Sequence, residues 1–156
     1  MMLITLSAFP QDKLTKKERK RQLQEAQASR LFIEGQRFLM QEDFDRAYFY
    51  FKKALEISPD EAAINFKIAE ILLRANRVEQ AMEHGMRAVE SDPENKYYNL
   101  VMAEAYTKQN QPLKAAEILE NLMVNTEENQ NYILDLATLY FQAGEFEKGL
   151  DALHRA

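Results

Sequence analysis

The chain has 156 residues, of which 46% are hydrophobic and 29% charged, with only 4 glycines and 4 prolines. This composition is typical of a helix-rich soluble protein rather than a barrel, a sandwich or a disordered chain, and the absence of cysteine excludes disulfides and cysteine-ligated metal or iron–sulfur sites. Residues 1–30 carry a net charge of +4 and residues 31–156 a net charge of −9. We expect one all-α domain or array, with a basic arm on an acidic body.

Residues 1–12 begin with nine apolar or small residues before Pro10. They resemble the hydrophobic part and cleavage region of a bacterial secretory signal, although a positive start is missing and basic residues follow. The stretch is too short for a transmembrane helix. Three alternatives stay open: a signal remnant, which predicts a periplasmic or cell-envelope location, an apolar N-terminal strap, or a frayed terminus. The last two are compatible with a cytoplasmic location.

Residues 13–27 form a basic extension without glycine or proline. We predict one helix from Leu14 to about Gln41, roughly 28 residues or about 42 Å long. Its cations could contact an anionic membrane surface or, less favourably, nucleic acid, because no aromatic residues interleave to stack on bases; the alternative is a solvated helix end. These candidate contacts are Lys16, Lys17, Arg19, Lys20 and Arg21.

An internal repeat with a period of about 34 residues organises the rest of the chain. At that offset two columns contain only Gly or Ala, a third contains large residues, and Pro59 and Pro93 share a fourth. The two small-residue columns are Gly35, Ala69, Ala103, Ala137 and Ala47, Ala81, Ala115, Gly149; the large column is Phe38, Leu72, Tyr106, Tyr140. Small residues permit two helices to approach to about 8 Å, so each unit is predicted to be an antiparallel helix pair.

The turn inside each pair is predicted at a further column that holds Asn76, Asn110 and Gly144. These residues tolerate the left-handed backbone of a tight turn. Glu42 is the exception in this column, and we predict that Asp43 takes the turn there instead.

The pattern resembles the tetratricopeptide repeat (TPR) family, whose unit has the same length and carries such small, aromatic and proline positions. The first unit matches through Leu31, Gly35, Phe38, Ala47, Phe51, Ala54 and Pro59. The resemblance implies an α-solenoid, a right-handed superhelix of antiparallel helix pairs with about 3.5 to 4 units. The units are residues 28–61, 62–95, 96–129 and an incomplete 130–156, which leads us to expect that the parent protein is longer.

Three departures from the family pattern carry expectations. Gly85 replaces a large second-helix residue, so we expect a thinner or more flexible interface there. Glu127 replaces a unit-ending proline, which predicts a longer or less sharply ended helix. Pro112 is expected at the first position of a helix, where proline is accepted.

The resemblance implies that ligands bind the concave groove lined by the first helices. Its predicted apolar stripe is Phe32, Phe66, Leu100 and Leu134, beside a row of Gln36, Glu70 and Glu104. The remaining predicted groove residues are Ser29, Leu39, Met40, Ala63, Leu73, Arg74, Tyr97, Thr107, Lys108, Asn131, Thr138, Phe141 and Gln142. An apolar or amphipathic protein segment, basic in part, fits this surface; the alternative is that these side chains cover helix pairs or further repeats.

The same positions argue against a carboxylate clamp for acidic chaperone tails, because family members of that type use Lys, Asn and Arg there. No phosphate-binding glycine loop, G-x-S-x-G or H-E-x-x-H occurs. His84 and His154 have no metal or triad spacing and are predicted to be surface residues. We therefore predict a non-enzymatic scaffold without a cofactor that binds another protein, as an envelope assembly factor or as a cytoplasmic adaptor or sensor; attachment through the basic arm is the other alternative.

Overall fold

A computed structural model describes residues 15–125 and 129–154, which are helical apart from short connections. The described helices are α1 Lys16–Met40, α2 Phe44–Ile57, α3 Ala62–Arg74, α4 Val78–Ser91, α5 Lys96–Lys108, α6 Pro112–Asn125, α7 Asn129–Gln142 and α8 Phe146–His154. Consecutive helices pack on one another, and α3 also contacts α5. The helices pair across short turns, so the protein is the predicted α-solenoid of helix pairs.

The helix starts follow the repeat. The second helices begin at Phe44, Val78, Pro112 and Phe146, each one repeat length after the one before. Pro112 is the first residue of α6, as predicted, because a proline there gives up no helical hydrogen bond. No described helix is long and apolar enough to cross a membrane.

The small-residue columns lie where the paired helices touch, as predicted. All eight residues are buried. At Gly35, an added Cβ would lie 2.6 Å from the ring of Phe51, so the ring of the second helix rests directly on the backbone of the first. Such close approach is what small residues allow at a helix crossing.

The gap expected at Gly85 is filled. A Cβ at this position would lie 2.7 Å from Sδ of Met102, and Met102 is itself buried. The prediction of a thinner interface was therefore wrong, because the thioether of Met102 on α5 occupies the space that a large residue takes in other units. Greater flexibility at this interface stays a prediction.

The turns lie at the predicted column of Asn76, Asn110 and Gly144, but the turn residue of the first pair differs from the prediction. Glu42, Asn76, Asn110 and Gly144 all have positive φ, at 58°, 56°, 58° and 79°. Glu42 itself takes the left-handed conformation, and Asp43 instead caps α2, its side chain accepting a hydrogen bond from the backbone N–H of Arg46 at 3.0 Å. The prediction that Asp43 takes the turn was wrong.

The basic extension is continuous with the first helix, as predicted, although the helix begins at Lys16. Thr15 caps it in a reciprocal arrangement with Glu18. The first buried residue is Ala28, so about three turns extend beyond the packed part of the first pair. The expectations for residues 1–14, for Glu127 and for Ala156 concern positions outside the described residues.

Candidate binding surfaces

A cavity of about 370 Å³ lies between α1, the α2–α3 connection and the start of α3. We call it the first-helix pocket. Ser29, Phe32 and Ala63, all predicted groove positions, lie in its wall. The full lining is Glu25, Ala28, Ser29, Phe32, Ile33, Ser58, Glu61, Ala63 and Ile64. Its volume is within the range of pockets that hold a small ligand or a large side chain.

The first-helix pocket has an apolar wall and an acidic edge. The ring of Phe32 packs on the buried ring of Phe51 with centroids 5.4 Å apart, which fixes its position, while Ile33 is 63% exposed. Glu25 and Glu61 add carboxylates. An apolar side chain next to a basic one would satisfy both features.

The rest of the predicted stripe varies in exposure. The ring of Phe66 packs on Tyr98 with centroids 5.1 Å apart, and Lys67 Nζ lies 4.7 Å from the Phe66 centroid. Leu100 is half-buried, whereas Leu134 is 69% exposed. The stripe is therefore partly structural at its centre and open at its C-terminal end.

The polar row beside the stripe is partly neutralised by neighbours on the same helix. Glu70 pairs with Lys67 at 2.7 Å, and Glu104 lies 3.8 Å from Lys108, while Gln36 is half-buried. The spacing of these pairs in the sequence, three and four positions, could have revealed both ion pairs.

Residues 38–104 match the tetratricopeptide repeat family model. The helix pairs within this range are tetratricopeptide repeats. No curated protein matches the sequence significantly. Solved structures that share the fold at low sequence identity include three from different organisms. MamA of Desulfovibrio magneticus RS-1 has a TM-score of 0.76 and 16% identity over 89% of this chain and 76% of its own. A thermophilic TPR protein of Thermus thermophilus has a TM-score of 0.67 and 20% identity, over 81% of this chain and 71% of its own. The TPR2B domain of yeast Sti1, in complex with pHsp70, has a TM-score of 0.64 and 20% identity, over 77% of this chain and 98% of its own.

Not all predicted groove positions of the repeat units are open. Leu73 is 1% exposed, and Leu39 packs against the core cluster formed by the first pairs. Phe141 touches Gly149 on α8 so closely that a Cβ there would clash with its ring. These three side chains pack against other residues of the protein, so we leave them out of the candidate surface.

The other predicted residues lie near solvent. Tyr97 is 58% exposed, Arg74 is exposed with its guanidinium 5.4 Å from the Phe44 centroid, and Lys108 is exposed. Also exposed are Ser29, Met40, Thr107, Thr138 and Gln142, whereas Ala63 is half-buried. The side chain of Asn131 is outside the described part.

The five cations of the basic extension are all exposed on α1. Arg21 Nε donates to Glu25 Oε1 at 2.6 Å, which links the extension to the edge of the first-helix pocket. Among the described residues, no group of three His, Asp or Glu side chains could hold a metal ion.

Sequence reasoning missed a buried amide between the first two TPR units. Asn65 is fully buried, and its Nδ2 donates to the carbonyls of Pro59 at 3.0 Å and Glu61 at 3.1 Å. Its Oδ1 lies 2.8 Å from Nδ1 of His84. Since Nδ2 is committed to two carbonyls, Oδ1 is the acceptor and His84 Nδ1 the donor.

His84 is thus half-buried rather than a surface residue, which corrects the prediction, whereas His154 is exposed as expected. Burial lowers the pKa of His84, and the charges of Lys52 and Arg87 lower it further. The repeat could have revealed the buried amide, because Asn recurs at the equivalent position of the next unit, Asn99.

Proposed function

We propose that the chain is a protein–protein interaction scaffold that holds an apolar or amphipathic segment with basic residues along its first helices. The observation that carries this proposal is the first-helix pocket, where the fixed ring of Phe32 and the exposed Ile33 adjoin the carboxylates of Glu25 and Glu61. An apolar anchor in a pocket supplies affinity, and a neighbouring charge supplies orientation.

The charge of the surface favours a basic rather than an acidic partner. Residues 31–156 carry a net charge of −9, and Glu70 and Glu104 stand where a clamp for an acidic tail would need cations. The Sti1 domain was solved in complex with pHsp70, but the groove residues of this chain do not fit a carboxylate clamp for an acidic tail. No catalytic step is part of the proposed function.

Site-specific photo-crosslinking tests the proposal. A benzophenone residue is placed at position 33 in the first-helix pocket or, as a control, at position 49, where Phe49 is 55% exposed on the second helix α2. We expect a protein adduct from position 33 and none of the same mass from position 49. Mass spectrometry then identifies the partner and the crosslinked segment.

Paired charge variants quantify the binding of the identified segment. Ile33→Glu with Leu134→Glu adds two charges to exposed first-helix positions, and Phe49→Glu with Val124→Glu adds the same charges to exposed second-helix positions. The first pair should weaken binding at least about tenfold, since a desolvated hot spot is worth roughly 2 kcal/mol or more. Equal binding by both pairs, with both folded by circular dichroism, would refute the groove assignment.

A second candidate function is attachment to an anionic surface through the basic extension. The supporting observation is that Lys16, Lys17, Arg19, Lys20 and Arg21 are all exposed where α1 extends beyond its packed part. Vesicles with and without phosphatidylserine test it: binding should require the anionic lipid, fall steeply with salt and be lost in a variant with these five residues changed to Gln. Salt-independent binding would contradict it.

A further inference from the structure

The junction between the first two TPR units is closed by a side-chain pair. Asn65 holds the α2–α3 connection through the carbonyls of Pro59 and Glu61, and His84 of α4 donates to its Oδ1 at 2.8 Å. His84 therefore joins α4 to Asn65 of α3 at this junction.

The next junction repeats the amide but not the histidine. Asn99 Nδ2 donates to the carbonyls of Pro93 at 2.8 Å and Asn95 at 3.1 Å, and each of these residues lies one repeat length after its counterpart. The residue equivalent to His84 in this unit is Ile118, which has no donor. Within the described residues, nothing donates to Asn99 Oδ1.

A cavity of about 360 Å³ occupies this second junction, between α4, α5 and α6. We call it the second-helix pocket. Asn99 and Ile118 line it, together with Met86, Met102 and Tyr106. It combines an apolar floor with the amide oxygen of Asn99, the counterpart of the Asn65 oxygen that accepts the imidazole N–H of His84 at the first junction.

The charges around the two junctions differ. Lys52 and Arg87 act on His84, and the equivalent residues one repeat later are Met86 and Asn121, so both cations are lost. The charged side chains that line the second-helix pocket are Glu90, Glu117 and Lys114, and Lys114 Nζ lies 5.2 Å from the Tyr106 centroid. With two carboxylates against one cation, this pocket suits a ring that can carry a positive charge.

We propose that the second-helix pocket binds a histidine side chain of a partner protein, whose ring N–H donates to Asn99 Oδ1 as His84 donates to Asn65. The site is separate from the first-helix pocket and is independent of the function proposed for it. The chain could therefore hold two partners, or two segments of one partner, on opposite helices of its repeats.

Titration of the ¹⁵N-labelled chain with short peptides, at about pH 6, tests the proposal. The probe is N-acetyl-Gly-His-Gly-amide, and the matched control is N-acetyl-Gly-Phe-Gly-amide. We expect the histidine peptide to change the NMR chemical shifts of the Asn99 side-chain amide and of neighbouring backbone amides. Its affinity should be at least about tenfold higher than that of the phenylalanine peptide, because a hydrogen bond from a charged donor can contribute that much.

Two variants locate the site. Ile118→His supplies the missing donor from within the chain and should weaken binding of the histidine peptide at least about tenfold. Leu113→His adds a histidine to an exposed position on the same helix and should leave binding unchanged. Undiminished binding by Ile118→His, or equal binding of the two peptides to the wild-type chain, would overturn the proposal. Free imidazole binding as tightly as the histidine peptide would also overturn it, because the ligand would then be a small heterocycle.

Discussion

Two buried glycines offer a sharp test of how the TPR helices pack, because the same substitution should have opposite effects at each. Gly35→Ala places a Cβ 2.6 Å from Cε1 and 2.7 Å from Cδ1 of Phe51. Phe51 is fully buried and its ring is packed on Phe32 at 5.4 Å, so it has no room to retreat. Gly85→Ala clashes only with Sδ of Met102, at 2.7 Å, and its Cβ lies at an ordinary contact distance of 3.6 Å from Val101.

The expected magnitudes follow from two opposing contributions. Alanine is favoured over glycine in a helix by about 1 kcal/mol, and this gain is common to both sites. Overpacking against a rigid neighbour costs roughly 1–3 kcal/mol, so Gly35→Ala should lower the free energy of unfolding by about 1 kcal/mol in net. Met102 can change rotamer at little cost, so Gly85→Ala should raise it by about 0.5 kcal/mol.

Urea unfolding followed by circular dichroism measures both variants, with the m-value checked for constancy. A double variant, Gly35→Ala with Phe51→Leu, identifies the cause, because a smaller side chain at 51 removes the clash. We expect the double variant to be more stable than the sum of the single effects by about 1 kcal/mol. Strict additivity, or a Gly35→Ala protein as stable as wild type, would show that the ring does not limit the approach of the helices.

Four further changes probe the turns and the buried amide. Asn65→Leu should lower the free energy of unfolding by about 2–4 kcal/mol, because several buried groups lose their hydrogen bonds; urea unfolding measures it, and a loss under about 1 kcal/mol would contradict the network. The depressed pKa of His84 means that the unfolded chain binds the proton more readily. Stability should therefore be full above the unfolded value of about 6.5 and fall as pH drops below it, and His84→Gln should flatten this dependence. Glu42→Gly should stabilise and Gly144→Ala destabilise by about 1 kcal/mol each in thermal melts, because both positions have positive φ.

The framework of the fold was predictable because its constraints recur. Gly35 and Ala69 stand in one column because paired helices approach closely in both units. The same limit on side-chain size therefore recurs at a fixed spacing, where it can be recognised in the sequence. The left-handed turns were predictable for Asn76 and Asn110 but not for Glu42, because the hairpin geometry imposes the conformation even on a residue that does not favour it.

The candidate surfaces were less predictable because they depend on which neighbour fills a space. Phe141 shares a helix face with predicted groove residues, yet its ring lies against Gly149, a contact that exists only because the facing residue is so small. Likewise, the hydrogen bond between Asn65 and His84 joins side chains on different helices. Neither relation can be deduced from one unit read alone.

Comparison of equivalent positions within the chain is therefore more informative about binding than comparison with an average repeat. The small-residue columns cannot vary without separating the helices, so they describe only the framework. The positions between successive second helices can vary, and His84 at one junction is replaced by Ile118 at the next. The amide that accepts a hydrogen bond from His84, that of Asn65, nevertheless has a counterpart at the next junction in Asn99. A retained acceptor beside a lost donor leaves an amide oxygen to which a donor of a partner can bind.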